Sequence, residues 1–477
     1  MVIAKRLLCG FALTAFALVA QSPRPSGNSL PPPAKVVTLN VIARDQSDHL
    51  ITDLGIDDFQ VSDQGKAQKI LFFHRNEETR QLSAPLGPHE YSNRSGMSSH
   101  AVVILFDLLN ANFEYRGYGT EEIVRALQHL ESSDSVYLYL LTSNGSLFPV
   151  RPLPDPESEP SATKGVWTQQ IKPMLDAAIN RVNGFKPIDE KQPPLRIETT
   201  YRALESLASE MAVIPGRKDM IWISQGVPLV LRLASGGSYE YMPQLQRLAT
   251  ELDRRGVTVN TVDQGEALAT GSKETLDEVS DLTGGKAYPQ RSVENAIPEV
   301  LANSRVSYLI EYAAPAPDGK FHKIRVTSGR KGIRLQVEQG YAAATGAPPL
   351  TASLDAALKS PFDASGIGLW AATSAANTAG AVHLEIRVDS RDVMLQPRGD
   401  SFNVALTFIL ESYTAKGHEE SAANATITLT RAQREKPSKD DISVSQDVDA
   451  TLQKVRVVVV DGGSNQIGSL TIPISGQ

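Results

Sequence analysis

The chain has 477 residues, 47 Lys and Arg against 54 Asp and Glu, a formal net charge of −7 and a single cysteine. That acidic balance argues against nucleic acid as a partner, and one cysteine excludes a disulfide framework and a Cys-ligated zinc. The length is that of two or three domains.

The amino terminus carries Lys5 and Arg6, runs apolar from Leu7 to Ala20, then turns to Gln21-Ser22-Pro23. A short basic region, a brief apolar stretch and small residues at its end predict a secretory signal peptide over residues 1–20, cut near Ala20. An uncleaved anchor is the alternative reading, and Ala15-Phe16-Ala17 offers a second cut. Cys9 lies inside this stretch and leaves with it, so the expectation is an exported, secreted or periplasmic chain without thiols, held together by a large core. No later apolar run is long enough to cross a bilayer, so no transmembrane span is expected after cleavage.

A Pro-rich linker follows over residues 21–35. An N-terminal β-segment over 36–76 shows alternation in Val36 to Val41, the strand start Asp58-Phe59-Gln60-Val61 and the run Lys69 to Phe73. Residues Asn76 to His100 read as a polar connector. Over 98–304 the pattern becomes α/β, with apolar strands Ala101 to Phe106, Val136 to Leu141, Asp219 to Ser224 and Val257 to Val262. Helical stretches lie between and after them: Glu121–Leu130, Val166–Val182, Thr200–Met211, Met242–Arg255, Lys273–Leu282 and Val293–Ala302. Continuous apolar strands alternating with amphipathic helices predict a parallel-type sheet between two helix layers. Residues 305–343 return to β, and because each flanking β-segment has too few strands to stand alone, they are expected to pair with 36–76 as a small sandwich around the α/β insert. A linker over 344–365 and an all-β, Ig-like sandwich over 366–477 complete the chain.

The runs Val102-Val-Ile-Leu-Phe-Asp107-Leu-Leu-Asn110, Thr199-Thr200-Tyr-Arg-Ala203-Leu204, Pro215-Gly216-Arg217-Lys218-Asp219-Met-Ile-Trp222-Ile-Ser224-Gln225-Gly226 and Leu282-Thr283-Gly284-Gly285 together resemble von Willebrand factor A domains. With Asp58-Phe59-Gln60-Val61, Tyr308 to Tyr312 and Gly340-Tyr341, they resemble more narrowly the A-domain-related family abundant in Acidobacteria. The resemblance implies a Rossmann-like α/β domain with a metal-ion-dependent adhesion site in the crevice beyond its strand ends, where a cation such as Mg²⁺ bridges to an acidic ligand. Carried over residue by residue, Asp107 matches the first aspartate and Thr200 the threonine, whereas Leu109, Ala111 and Gln225 stand where two serines and a second aspartate belong. Asn110 and Asn112 offer amide oxygen from shifted positions. The expectation is a degenerate ligand-binding crevice of Asp107, Asn110, Asn112, Thr200 and Gln225 with no cofactor; if Mg²⁺ binds there, it does so through Asp107 and Thr200.

Other signals have plain explanations: a solvated turn at Gly216-Arg217-Lys218, a helix stop at Gly284-Gly285, a core role for Trp222, and for Thr200 a helix N-cap. The eight histidines show no metal spacing, and no nucleophile elbow, phosphate loop or dinucleotide fingerprint occurs. The expected function is an exported interaction or adhesion module, not an enzyme, with a protein or cell-surface partner. A structural envelope scaffold and an enzyme with an active site assembled from distant residues stay open as alternatives.

Overall fold

The computed structural model describes residues 36–474 except 78–85, 95–100, 131–135, 154–166, 190–191, 213, 215–217, 233–235, 266–271, 291, 317, 319, 343–349, 361, 415–416, 431–432 and 434–440. The signal-peptide and Pro-rich linker expectations fall outside the described residues. The chain divides into two compact units, one of Pro33–Ser83 with Gly96–Gly366, the other containing Ala84–Ser95 with Ile367–Gln477.

In the larger unit a six-stranded sheet has the spatial order Ala287–Tyr288, Val257–Asp263, Lys218–Ser224, Ala101–Asp107, Val136–Leu141, Leu147–Arg151. The first five strands run parallel, and the last is an antiparallel edge. Three of them, Ala101–Asp107, Val136–Leu141 and Lys218–Ser224, are buried at every position, which accounts for their unbroken apolar character. Six helices follow in chain order: α1 Phe113–Gln128, α2 Ile171–Val182, α3 Pro193–Met211, α4 Met242–Arg254, α5 Ser272–Thr283 and α6 Val293–Arg305. On one face Leu105, Tyr139 and Trp222 pack with Leu204 of α3, Leu245 of α4 and Leu276 of α5. On the other, Ile104, Leu138 and Ile221 meet Ile123 of α1, Leu175 of α2 and Ile297 of α6.

In the same unit the strand Val306–Ala313 lies antiparallel between Val36–Arg44 and Ile70–Glu77, and Phe321–Ser328 pairs with Phe59–Asp63. These two sheets enclose Leu39, Phe59, Tyr308, Tyr312 and Ile324. Residues 344–365 are not a plain linker: helix α7, Leu350–Lys359, buries Leu354, Ala357 and Leu358, one helical stripe that its Ala-rich composition had masked.

The smaller unit is all β. One sheet has the order Ile442–Asp449, Ala381–Val388, Leu369–Ala375, Glu90–Ser92, and the other joins Gln396–Arg398, Ser401–Thr414, Lys454–Asp461 and Ile467–Pro473, with Gly417–Thr430 pairing to Ser401–Thr414. Leu384, Phe408 and Val457 belong to the core of this unit. The strand Glu90–Ser92 comes from the stretch read as a polar connector; it pairs with Leu369–Ala375, and the Asn93 side chain bonds the backbone at Ile367 and Leu369.

The expected fold class, an α/β, Rossmann-like chain of the von Willebrand A type, is therefore corrected. Strand exceeds helix by 44% to 27%, and among the described residues five of the six sheets contain only antiparallel pairs, which makes the fold β-rich. The reading was drawn from the longest apolar runs, which stand out because both faces are buried; the more numerous half-exposed strands alternate and carry a weaker signal.

Candidate functional site

The crevice forms where Ala101–Asp107 and Lys218–Ser224 end side by side. Their parallel register sets Phe106 opposite Ile223, which brings Asp107 next to Ser224. Asp107 is fully buried. Its Oδ1 accepts the Asn110 backbone N–H at 2.9 Å, and its Oδ2 accepts Asn110 Nδ2 at 2.7 Å, Ser224 Oγ at 2.7 Å and Trp222 Nε1 at 3.1 Å. Four donors thus replace the water that a buried carboxylate loses.

Asn110 links the two sides of the site. Its Nδ2 also donates to Thr200 Oγ1 at 2.9 Å, and its Oδ1 accepts Arg196 Nε at 3.1 Å, an arrangement that fixes which end of the amide is nitrogen. Gln225 Oε1 accepts the Asn112 backbone N–H at 3.0 Å, holding the loop ahead of α1. Of the five residues singled out from sequence, Asp107, Asn110 and Thr200 share one hydrogen-bonded group, and Asn112 and Gln225 form a separate bonded pair. The part assigned to Thr200 needs correction: α3 begins at Pro193, so Thr200 sits inside the helix and donates to the Arg196 carbonyl one turn back at 2.9 Å. The Pro193-Pro194 pair, well suited to a first turn, is the start signal.

Sequence reasoning missed Trp222, Ser224, Arg196 and Arg116. The first two are two residues apart on a strand and so share a face, and Arg196 and Thr200 are one helical turn apart. Arg116 donates to the carbonyls of Leu108 at 2.6 Å and Ala111 at 3.2 Å, bracing the loop after Asp107. Burial pulls its guanidinium below the ordinary arginine value, and the negative charge of Asp107 opposes that shift. Among the described residues no group of three or more His, Cys, Asp or Glu side chains is placed to hold a metal ion. The Gly216-Arg217 part of the basic turn lies outside the described residues; Lys218 is buried and its Nζ donates to the Ile214 carbonyl at 2.8 Å.

Just beyond Gln225, Val230–Arg232 and Ser238–Glu240 form a two-stranded ribbon on which Val230 and Tyr239 are 50% and 57% exposed, unusual for large apolar side chains. A separate buried cluster in the same unit centres on Asp63. Its Oδ2 accepts the Tyr312 and Tyr341 hydroxyls at 3.0 and 2.9 Å, and His322 lies between Asp63 Oδ1 at 2.9 Å and Asp318 Oδ1 at 3.1 Å. Burial pushes both phenols up, helped by the neighbouring phenol at Tyr312 and by the Asp63 carboxylate at Tyr341.

No family model matches the chain, and no curated protein matches it. Among solved structures it is similar to the pilus adhesin SpaC of Lactobacillus rhamnosus GG at 9% identity and a TM-score of 0.29, over 83% of this chain and 57% of that one. It is also similar to three N-terminal domains of the type V pili tip protein Mfa5 of Porphyromonas gingivalis, at 8% identity and a TM-score of 0.25, over 93% of this chain and 78% of that one. Superpositions this distant carry no argument about the site. No helix among the described residues is long and apolar enough to cross a membrane.

Proposed function

We propose that the chain is an exported interaction module that recognises its partner, a protein or surface polymer, without a metal ion and without chemistry at the crevice. One observation carries this reading: the Asp107 carboxylate is sealed from solvent and engaged by four donors. A general base or a metal ligand needs an oxygen lone pair facing the reacting proton or cation. Here the Asn110 amide nitrogen lies between the Asp107 carboxylate and the Thr200 hydroxyl, and so takes the place between two oxygens that a cation would need. The crevice then serves as a rigid floor, and recognition falls to what surrounds it, foremost the ribbon with Val230 and Tyr239.

The test is capture of partners from an envelope extract by the folded full chain, with and without EDTA. The expected outcome is the same retained partner in both arms and its loss with Tyr239→Ser. A partner released by EDTA overturns metal-independent recognition, and an extract that yields no retained partner overturns the interaction reading.

A further inference from the structure

The strand Gly417–Thr430 forms an open edge of the smaller unit. It pairs with Ser401–Thr414 along its whole length without a bulge, and no other described strand joins it. Edge strands present a row of backbone donors and acceptors, and proteins blunt them because they invite pairing. Edges elsewhere in the chain are blunted: Gln396–Arg398 carries Pro397, Leu147–Arg151 carries Pro149 and a register shift against its neighbour, and Glu90–Ser92 and Lys66–Gln68 are three residues each. The opposite edge of the same sheet, Ile467–Pro473, is covered, with the Ile367 N–H donating to the Ile467 carbonyl and the bare Gly468 admitting the Ile367 carbonyl oxygen. Among the described residues of this unit nothing comparable protects residues 421–429, a stretch without charge or proline. At its end, Thr430 gives its N–H to Gln433 Oε1 at 2.9 Å, so this N–H points away from Ser401–Thr414. Backbone groups alternate along a strand, and Thr428, Thr426, Asn424 and Ala422 therefore point theirs outward as well.

The partner this stretch fits is an antiparallel copy of itself. Residues that face each other across an antiparallel pair share one face of the sheet, so a two-fold axis must pass through a residue, and an axis at Ala425 pairs residues 421–429 with one another. On the core side Ala423 then stands opposite the buried Ile427 and Ser421 opposite the buried Leu429, small against large at both ends of the contact, with Ala423 and Ala425 only half buried. On the solvent side the exposed Thr426 and Thr428 stand opposite Asn424 and Ala422. These are the four positions whose backbone groups point outward, so each such pair exchanges N–H···O bonds. No like charges meet, and Glu419 and Glu420 fall beyond the paired stretch. Parallel copies in register would instead set Ile427 against Ile427 and Ala423 against Ala423 and lose the match of sizes. We propose that Gly417–Thr430 is a self-association surface, through which two copies of the chain join antiparallel, edge to edge, into one continuous sheet.

The experiment is sedimentation velocity on the full chain over a range of concentrations, with a variant carrying both Thr426→Lys and Thr428→Lys. Both threonines are exposed, so the variant should keep the parent's melting temperature, while lysines along an edge oppose strand pairing. The parent is expected to form dimers as its concentration rises and the variant to remain monomeric. A parent that stays monomeric throughout, or a variant that dimerises equally, overturns the proposal. So does a monomeric parent that captures an envelope protein which the lysine variant loses, since the edge would then take a different strand. The register is read by Ala425→Cys in a Cys9→Ser background. Ala425 lies between the outward-bonding positions, where facing Cα atoms approach most closely, so oxidation should link two copies there, whereas Glu419→Cys, far from the axis, should give no cross-link. Equal cross-linking at the two positions, or none at Ala425, overturns the two-fold antiparallel arrangement.

Discussion

Replacing Asp107 with alanine removes the acceptor for Trp222 Nε1, Ser224 Oγ and two Asn110 donors while all of them stay buried. The expected cost is roughly 3 kcal/mol or more, read by urea unfolding, and Asp107→Asn should cost less because it keeps an acceptor. If the carboxylate is a structural hub, millimolar Mg²⁺ leaves the melting temperature unchanged; a tight cation site at a hundred times its dissociation constant would add about 2.7 kcal/mol. Lys218 gives a pH test. Burial lowers its ammonium to about 7, below the ordinary lysine value of 10.5, so between those values the unfolded chain binds more protons than the folded one. Stability contributed through this residue is therefore lowest below pH 7 and rises with pH towards 10. Near and above pH 10 the buried phenols act in the opposite sense, among them Tyr139, pushed up to about 12 by burial. Lys218→Met should flatten the rise between pH 7 and 9.5, and an unchanged slope would show that Lys218 is not its source. At this scale the sequence made Asp107 visible as a polar residue ending an apolar run. Trp222 and Ser224 stayed hidden as partners because their contact with it depends on the register of two strands more than a hundred residues apart.

Secondary-structure elements were legible to the degree that their ends carry local chemistry. Helix α5 stops at Thr283 because Gly284 turns left-handed at φ +74°, while the Gly285 N–H reaches back to the Ser280 carbonyl at 2.8 Å, the double-glycine stop read from sequence. Only the structure adds why Gly285 must be bare: a Cβ there would lie 1.9 Å from the Val259 carbonyl oxygen. Gly285→Ala is accordingly expected to cost about 3 kcal/mol or more, whereas Gly380→Ala, with no atom within 4 Å of the added carbon, should cost only its left-handed backbone strain of about 1–2 kcal/mol. Comparable losses in the two variants would refute the steric account. The start of α3 was misjudged by seven residues, since it opens on Pro193-Pro194 and the exposed Leu195, and the apolar stripe begins only with the buried Ile197. Helix α7 was overlooked for a related reason: a composition rich in Ala, Gly and Pro reads as a linker, although Leu354, Ala357 and Leu358 follow a helical spacing.

The whole molecule was the least legible, because its organisation depends on which distant strands pair, and alternation names a strand without naming its neighbour. The short strand Glu90–Ser92 shows the difficulty. Its three residues are too few for a periodic signal, yet they complete a sheet whose other members begin at Leu369, and nearby Arg94 pairs with the buried Asp392 at 2.6 Å. A fragment of residues 367–477 should consequently melt at a lower temperature than the same fragment mixed with a peptide of residues 84–95, and a peptide without effect would remove that strand from the fold. The same strand gives the protein a form of redundancy. Because the smaller unit is threaded into the polypeptide at two separate places, a protease cut engineered at Gly366 would yield two bands on a denaturing gel but one species on a native gel. A molecule nicked there would stay in one piece.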